Sequence, residues 1–114
     1  MMAKKIMTVD DSPTIRMALN TSLIEGGYEV VEAIDGADAI QKLAFEDVQM
    51  LITDLNMPNV DGIELIRSVR KDGRNRFLPI IMLTTESDKA KMNEGRAAGA
   101  SGWVVKPFTP GQLL

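Results

Sequence analysis

The chain is predicted to fold as an α/β protein built on a five-stranded parallel sheet. Two observations carry this expectation. Short apolar runs alternate five times with stretches of helical periodicity, the order that lays helices over the faces of a parallel sheet. Four of those runs also end on a chemically capable residue: KKIMTV before Asp10, VQMLIT before Asp54, PIIML before Thr84 and GWVV before Lys106. Parallel strands open their ends on one edge, so Asp10, Asp11, Asp54, Thr84 and Lys106 would share one crevice. Three carboxylates, a hydroxyl and an ammonium suit a divalent cation and a phosphoryl group.

The elements follow in order. Strand one is about Lys4–Val9. Helix one takes about Pro13–Glu25, with Ser12 as N-cap and Pro13 at the first helical position. Ile15, Ala18, Leu19, Ser22 and Leu23 form its inward stripe, and Gly26-Gly27 stop it. Strand two is about Tyr28–Ala33. Asp35-Gly36 reads as a turn, and helix two takes Ala37–Phe45 with Ile40, Leu43 and Ala44 facing in. Strand three is Met50–Thr53. Helix three begins after Asp61, where Asp61 and Glu64 have capping-box spacing and Val60 and Leu65 staple spacing. Strand four is Ile80–Leu83. Helix four runs from about Asp88 to Ala98, with Ala90, Met92 and Ala97 inward. Gly95 weakens it, so it is expected to be the softest helix. Strand five is Gly102–Val105.

A last helix is announced but not finished. Thr109 and Gln112 fit a capping box, Pro110 the first helical position, and Phe108 with Leu113 a staple. The domain over 1–114 is therefore expected to be incomplete at its C-terminal helix, in a natural chain that continues. Leaving that helix out would bare about four apolar side chains, at roughly 1.5–3 kcal/mol each. Such a chain is expected to be marginal or to self-associate.

Composition narrows the chemistry. A chain of 114 residues with 45% hydrophobic and 25% charged residues is one ordinary globular domain. It has no cysteine and no histidine. Thiolate chemistry, disulfides and a phosphohistidine on this chain are thereby excluded. The net charge of -3 carries no basic stripe, so nucleic acid is not an expected partner. No run approaches a membrane span, and MMAKKIMTVDD does not read as a signal peptide. The expected location is the cytoplasm.

Taken singly, each site residue is an ordinary surface side chain; their joint placement carries the chemistry. Two carboxylates about 4 Å apart repel by roughly 4 kcal/mol at an effective dielectric of about 20, so Asp10-Asp11 with Asp54 call for a cation. Mg²⁺ prefers such oxygen ligands. A carboxylate at Asp54 can attack phosphorus. Lys106 can hold a phosphoryl oxygen or pair with Asp54 at rest. Lys106–Pro107 is a candidate cis peptide that would direct the ammonium. Thr84 can donate to a phosphoryl oxygen.

The stretches VDDSPTIR, ITDLNMPNVDGIELI, IIMLTTES and AGASGWVVKPF resemble those of response-regulator receiver domains, and in particular single-domain chemotaxis regulators of the CheY type. The resemblance covers almost the whole chain. It implies a flavodoxin-like, doubly wound sheet of order 2-1-3-4-5, the order known for such receivers. It implies Asp54 as phosphoacceptor, with Mg²⁺ held by Asp11, Asp54 and the backbone carbonyl of Asn56, and Asp10 helping through water. It implies phosphoryl contacts from Lys106 and Thr84, and Trp103 as a switch aromatic. Asn56 and Glu86 stand where family members tune dephosphorylation. The implied partners are a histidine kinase, an output target such as a flagellar motor switch protein, and a phosphatase. The output face would be helix four, strand five and helix five. Such a protein is a signalling switch rather than an enzyme.

Three rivals remain in view. A receiver at the head of a longer regulator, such as a transcription factor, has the same motifs. A flavodoxin-like cofactor binder would need a phosphate-cradling loop where Asp10-Asp11 stand. A haloacid-dehalogenase-type phosphatase would need an acid at Asn56.

Overall fold

The computed structural model describes residues 4–55, 57, 60–84 and 89–106. Nine elements alternate along them: β1 (Lys5–Val9), α1 (Pro13–Glu25), β2 (Glu29–Ala33), α2 (Gly36–Leu43), β3 (Met50–Asp54), α3 (Gly62–Lys71), β4 (Ile80–Thr84), α4 (Lys89–Ala98) and β5 (Gly102–Val105). The sheet is parallel throughout, in the order β2-β1-β3-β4-β5. Both the class and the strand order agree with expectation. The helix start read at Thr109–Leu114, the Lys106–Pro107 peptide, Asn56 and Glu86 lie outside the described residues.

Side-chain alternation assigns the two faces. Ile6, Ile52 and Leu83 meet Leu19 and Leu23 of α1. Met7, Val9, Leu51, Ile80 and Met82 meet Ala39 and Leu43 of α2 and Ile63, Leu65, Ile66 and Val69 of α3. Thus α1 lies on one face, and α2 and α3 on the other, as right-handed crossovers in this strand order require. Helix α4 joins the second face through contacts with α3 and β4.

The caps form as the sequence spacing requires. Ser12 Oγ accepts the Ile15 N–H, and Asp61 Oδ1 accepts the Glu64 N–H at 2.9 Å. Val60 and Leu65 both join the core on that side. No helix among the described residues is long and apolar enough to cross a membrane.

Several helical faces differ from expectation, for one physical reason. In α2 the buried residues are Gly36, Ala39 and Leu43, whereas Ile40 and Ala44 are exposed, and the helix ends at Leu43 rather than Phe45. Gly36 is a helical residue, not a turn. A Cβ there would stand 2.3 Å from the Val60 carbonyl oxygen. In α4 the buried residue is Gly95, while Ala90 and Ala97 face solvent and Met92 is half-buried. A Cβ at Gly95 would meet Met82 Sδ at 2.1 Å. Where a helix closes tightly on its neighbour, the smallest residue faces in and larger apolar ones turn outward. On α1, Ala18 is exposed and Ile15 half-buried, leaving Leu19, Ser22 and Leu23 as the inward set.

Candidate functional site

Strand β1 brings Asp10 to the sheet edge and then releases the chain. The Asp10 N–H still reaches the Ala33 carbonyl at 3.3 Å. Its carboxylate folds forward, and Oδ1 accepts the Ser12 N–H at 2.8 Å. That local turn buries Asp10 and leaves Asp11 exposed. Strand β3 ends on Asp54 itself, one residue later than expected, and the Asp54 side chain is buried. Strand β4 likewise includes Thr84, also buried.

Thr84 fixes the cation by its backbone. Its carbonyl accepts the Lys106 N–H at 2.7 Å, just past β5. The Lys106 side chain then crosses back over β3 and β1. Its Nζ lies 3.1 Å from Asp54 Oδ1 and 3.4 Å from Asp10 Oδ2. Asp54 Oδ1 also accepts the Leu55 N–H at 2.9 Å. Among the described residues both donors to Asp54 use Oδ1. Carboxylate oxygens of Asp10, Asp11 and Asp54 all lie within 4.8 Å of one another. Two of these carboxylates share the Lys106 ammonium and Asp11 stands beside them at the surface, and oxygen donors at this spacing fit a hard divalent cation.

The electrostatics point the same way. Burial holds the Asp10 carboxyl above its ordinary 3.8, the Ser12 N–H opposes the rise, and the charge of Asp54 adds to it. Burial pulls Lys106 down, but the Asp54 hydrogen bond and the charges of Asp54 and Asp10 outweigh it and raise its pKa. The ammonium is thus secure, while Asp10 is strained in its charged form.

A test of that strain is direct. Asp10→Asn keeps an acceptor for Ser12 and removes the charge, so the metal-free variant is expected to melt a few degrees higher than wild type, the scale of about 1 kcal/mol in a domain this size. The sign depends on pH. With the folded value raised above 3.8, the folded state holds the proton longer, so wild-type stability falls as pH rises through that window. The gap between variant and wild type should open above pH 3.8 and then level off. Melting curves across pH in chelator check this; a variant less stable than wild type would make Asp10 a structural anchor.

Trp103 lies in β5 beside Met82 of β4. It is 42% exposed, and the Arg96 guanidinium sits over its ring, 5.1 Å from the centroid. Sequence reasoning missed Arg96, because the pairing spans α4 and β5. It also missed Arg16, whose Nη1 donates to the Asp10 carbonyl at 2.6 Å. Gly62 was missed as well: a Cβ there would stand 2.2 Å from the Asp54 carbonyl oxygen. A glycine directly after the Asp61 cap, where helix propensity favours almost anything else, was the available signal.

The pattern of the response regulator receiver domain matches residues 6–114. Chemotaxis protein CheY1 of Helicobacter pylori is 46% identical over 108 residues, covering 93% of this chain and 87% of that protein. The structure of chemotaxis protein CheY4 of Vibrio cholerae is similar at a TM-score of 0.92 and 43% identity, covering 98% of this chain and 93% of that one. The receiver domain of a Pseudomonas aeruginosa sensor histidine kinase has a TM-score of 0.91 at 26% identity, covering 98% of this chain and 92% of its own; its structure holds a magnesium ion in the active-site cleft.

Proposed function

Because this chain belongs to the response regulator receiver domain family, we propose that it is a two-component phosphoacceptor of the CheY type, switched by a phosphoryl group on Asp54. The observation that carries the reading is the closed Asp10–Lys106–Asp54 cluster with Asp11 at its rim. The chain has no histidine of its own, so the phosphoryl group comes from another protein, a histidine kinase, or from a small phosphodonor. Oδ2 of Asp54 attacks the phosphorus in line, the phosphorus–nitrogen bond of the donor phosphohistidine breaks, and the imidazole leaves with its electron pair. Lys106 exchanges its Asp54 contact for a phosphoryl oxygen, and the Thr84 hydroxyl donates to another.

Mg²⁺ would be held by Asp11, Asp54 and the Asn56 carbonyl, with Asp10 behind a water, and supplies charge neutralisation between the acids and the phosphoryl oxygens. Phosphoryl transfer needs chiefly positioning and such electrostatic help. Asn56 and Glu86 set how long the acyl phosphate survives, and a separate phosphatase shortens it. The protein acts on its own phosphoryl group only, and so is a switch rather than a turnover enzyme. Its output is a changed face of α4, β5 and the following helix, with Trp103 as relay. The similarity to CheY1 and CheY4 favours a cytoplasmic role in chemotaxis, with a flagellar motor switch protein as target.

Trp103 is the single tryptophan and reports on the site. Titration with Mg²⁺ and then a small phosphodonor such as acetyl phosphate is expected to change its fluorescence in two steps. Asp54→Asn should lose the donor step. A donor response retained in Asp54→Asn, or no response to either addition in wild type, would refute the reading.

A further inference from the structure

Arg16 spends one turn of α1 returning to the strand that precedes it. Its backbone N–H bonds the Ser12 carbonyl at 3.0 Å, within the helix start. Its side chain is 14% exposed and bends back across β1. Nε meets Glu32 Oε1 at 3.3 Å, but that glutamate is largely exposed, and such a pair contributes little. The shorter bond runs from Nη1 to the Asp10 carbonyl at 2.6 Å. A guanidinium beside a cluster of carboxylates thus gives its best hydrogen bond to a neutral backbone oxygen.

That oxygen belongs to the peptide joining Asp10 to Asp11. A peptide is planar, so fixing its oxygen fixes the bond that leads to the Asp11 Cα. Asp10 has other anchors in the Ser12 N–H and Lys106. Asp11 does not: among the described residues no donor reaches its carboxylate, although it is a member of the three-carboxylate group.

We propose that Arg16 is a positioning residue for the divalent-cation site, clamping the Asp10–Asp11 peptide so that the Asp11 carboxylate is preset for the metal. The proposal rests on the reading that Asp10, Asp11 and Asp54 hold Mg²⁺. It makes a prediction opposite in sign to simple electrostatics. Removing a positive charge beside a cation site should tighten binding; removing a positioning bond should weaken it.

Mg²⁺ alone is the probe, titrated into wild type, Arg16→Met, Arg16→Lys and Glu32→Gln, with Trp103 fluorescence and calorimetry as readouts. No Mg²⁺ binding by wild type would remove the metal reading itself, and this inference with it. Given wild-type binding, Arg16→Met, which keeps the apolar stem, is expected to raise the Kd about ten-fold, at the lower end of what outer-shell partners of a metal site contribute. Arg16→Lys keeps the charge and one donor and should recover most of the affinity. Glu32→Gln should stay within about two-fold of wild type, because the Asp10 carbonyl bond survives it. A Kd for Arg16→Met equal to or below wild type would overturn the proposal. So would an Arg16→Lys as weak as Arg16→Met, since that pattern reports general damage. Should Arg16→Met fail to fold, Arg16→Gln, too short to reach the carbonyl, takes its place with the same expected sign.

Discussion

Gly62→Ala is expected to destabilise the domain by about 3 kcal/mol, although alanine is the better helix former by about 1 kcal/mol. Packing and propensity disagree in sign here, so the measurement decides between them. A Cβ at Gly62 would stand 2.2 Å from the Asp54 carbonyl oxygen and 2.8 Å from the Leu55 Cα. Both obstacles are backbone, and neither can rotate away. Strand β3 is paired on both sides, with β1 and β4, so the helix must give. Moving the start of α3 breaks the Gly62 N–H bond to the Leu55 carbonyl, 3.0 Å long. It also disturbs the Asp61 cap and the buried Ile63, Leu65 and Ile66. Overpacking costs about 1–3 kcal/mol, and a lost cap adds about 1 kcal/mol. Urea unfolding with an unchanged m-value is the check. A loss under about 1 kcal/mol would mean that α3 pivots freely on β3. The variant bears on function too, because the helix start it displaces rests against the carbonyl of Asp54, the proposed phosphoacceptor.

Arg70→Ala is expected to cost about 3 kcal/mol and to loosen α4 before the rest of the fold. The Arg70 guanidinium donates to the Gly99 carbonyl through Nε and Nη2, at 2.9 and 2.7 Å. Through Nη1 it reaches the Leu78 carbonyl at 2.6 Å and the Arg76 carbonyl at 3.1 Å. Burial lowers its pKa, without threatening its charge. One side chain of α3 thereby holds both the segment entering β4 and the turn that ends α4. Within the turn itself the Gly99 and Ala100 N–H groups bond the Gly95 carbonyl at 3.1 and 3.0 Å, and the buried residue of α4 is Gly95, so Arg70 is the side chain that ties this local turn to α3. Gly99 adopts φ 120°, and a Cβ there would meet Arg70 Cγ at 2.9 Å, so the turn is shaped around this side chain. Hydrogen bonds from a charged donor contribute about 1.5–3 kcal/mol each, and water can replace part of that set. Arg70→Lys should recover little, because a single ammonium does not present a planar fork to separated carbonyls. Denaturant unfolding gives the total, and amide exchange gives its location. Equal acceleration in β1 and α4 would show that Arg70 serves the whole fold rather than this tether.

These two positions mark where sequence reading stops. The strand ends were legible because apolar runs break abruptly at Asp10, Asp54, Thr84 and Lys106, and parallel strands must open on one edge. Ser12 and Asp61 were legible because capping acts over three residues. Gly62 and Arg70 were not, since their partners lie eight residues away at Asp54 and twenty-nine away at Gly99. The inward faces of α2 and α4 were misread for a related reason. Periodicity ranks residues by hydrophobicity, so it chose Ile40 over Ala39 and Ala97 over Gly95. Close approach of a neighbouring backbone or side chain ranks them by size.

The chain alone carries the class, the order of the elements, and which acids and ammonium meet at the sheet edge. Those features depend on local periodicity and on the chirality of crossovers, both of which act along the chain. Packing in three dimensions sets Lys106 between Asp10 and Asp54, Arg16 on the peptide between Asp10 and Asp11, and Arg96 over Trp103. Each of those contacts joins segments that become neighbours only once the sheet has formed. Their distances are set by helix–sheet packing rather than by spacing in the chain.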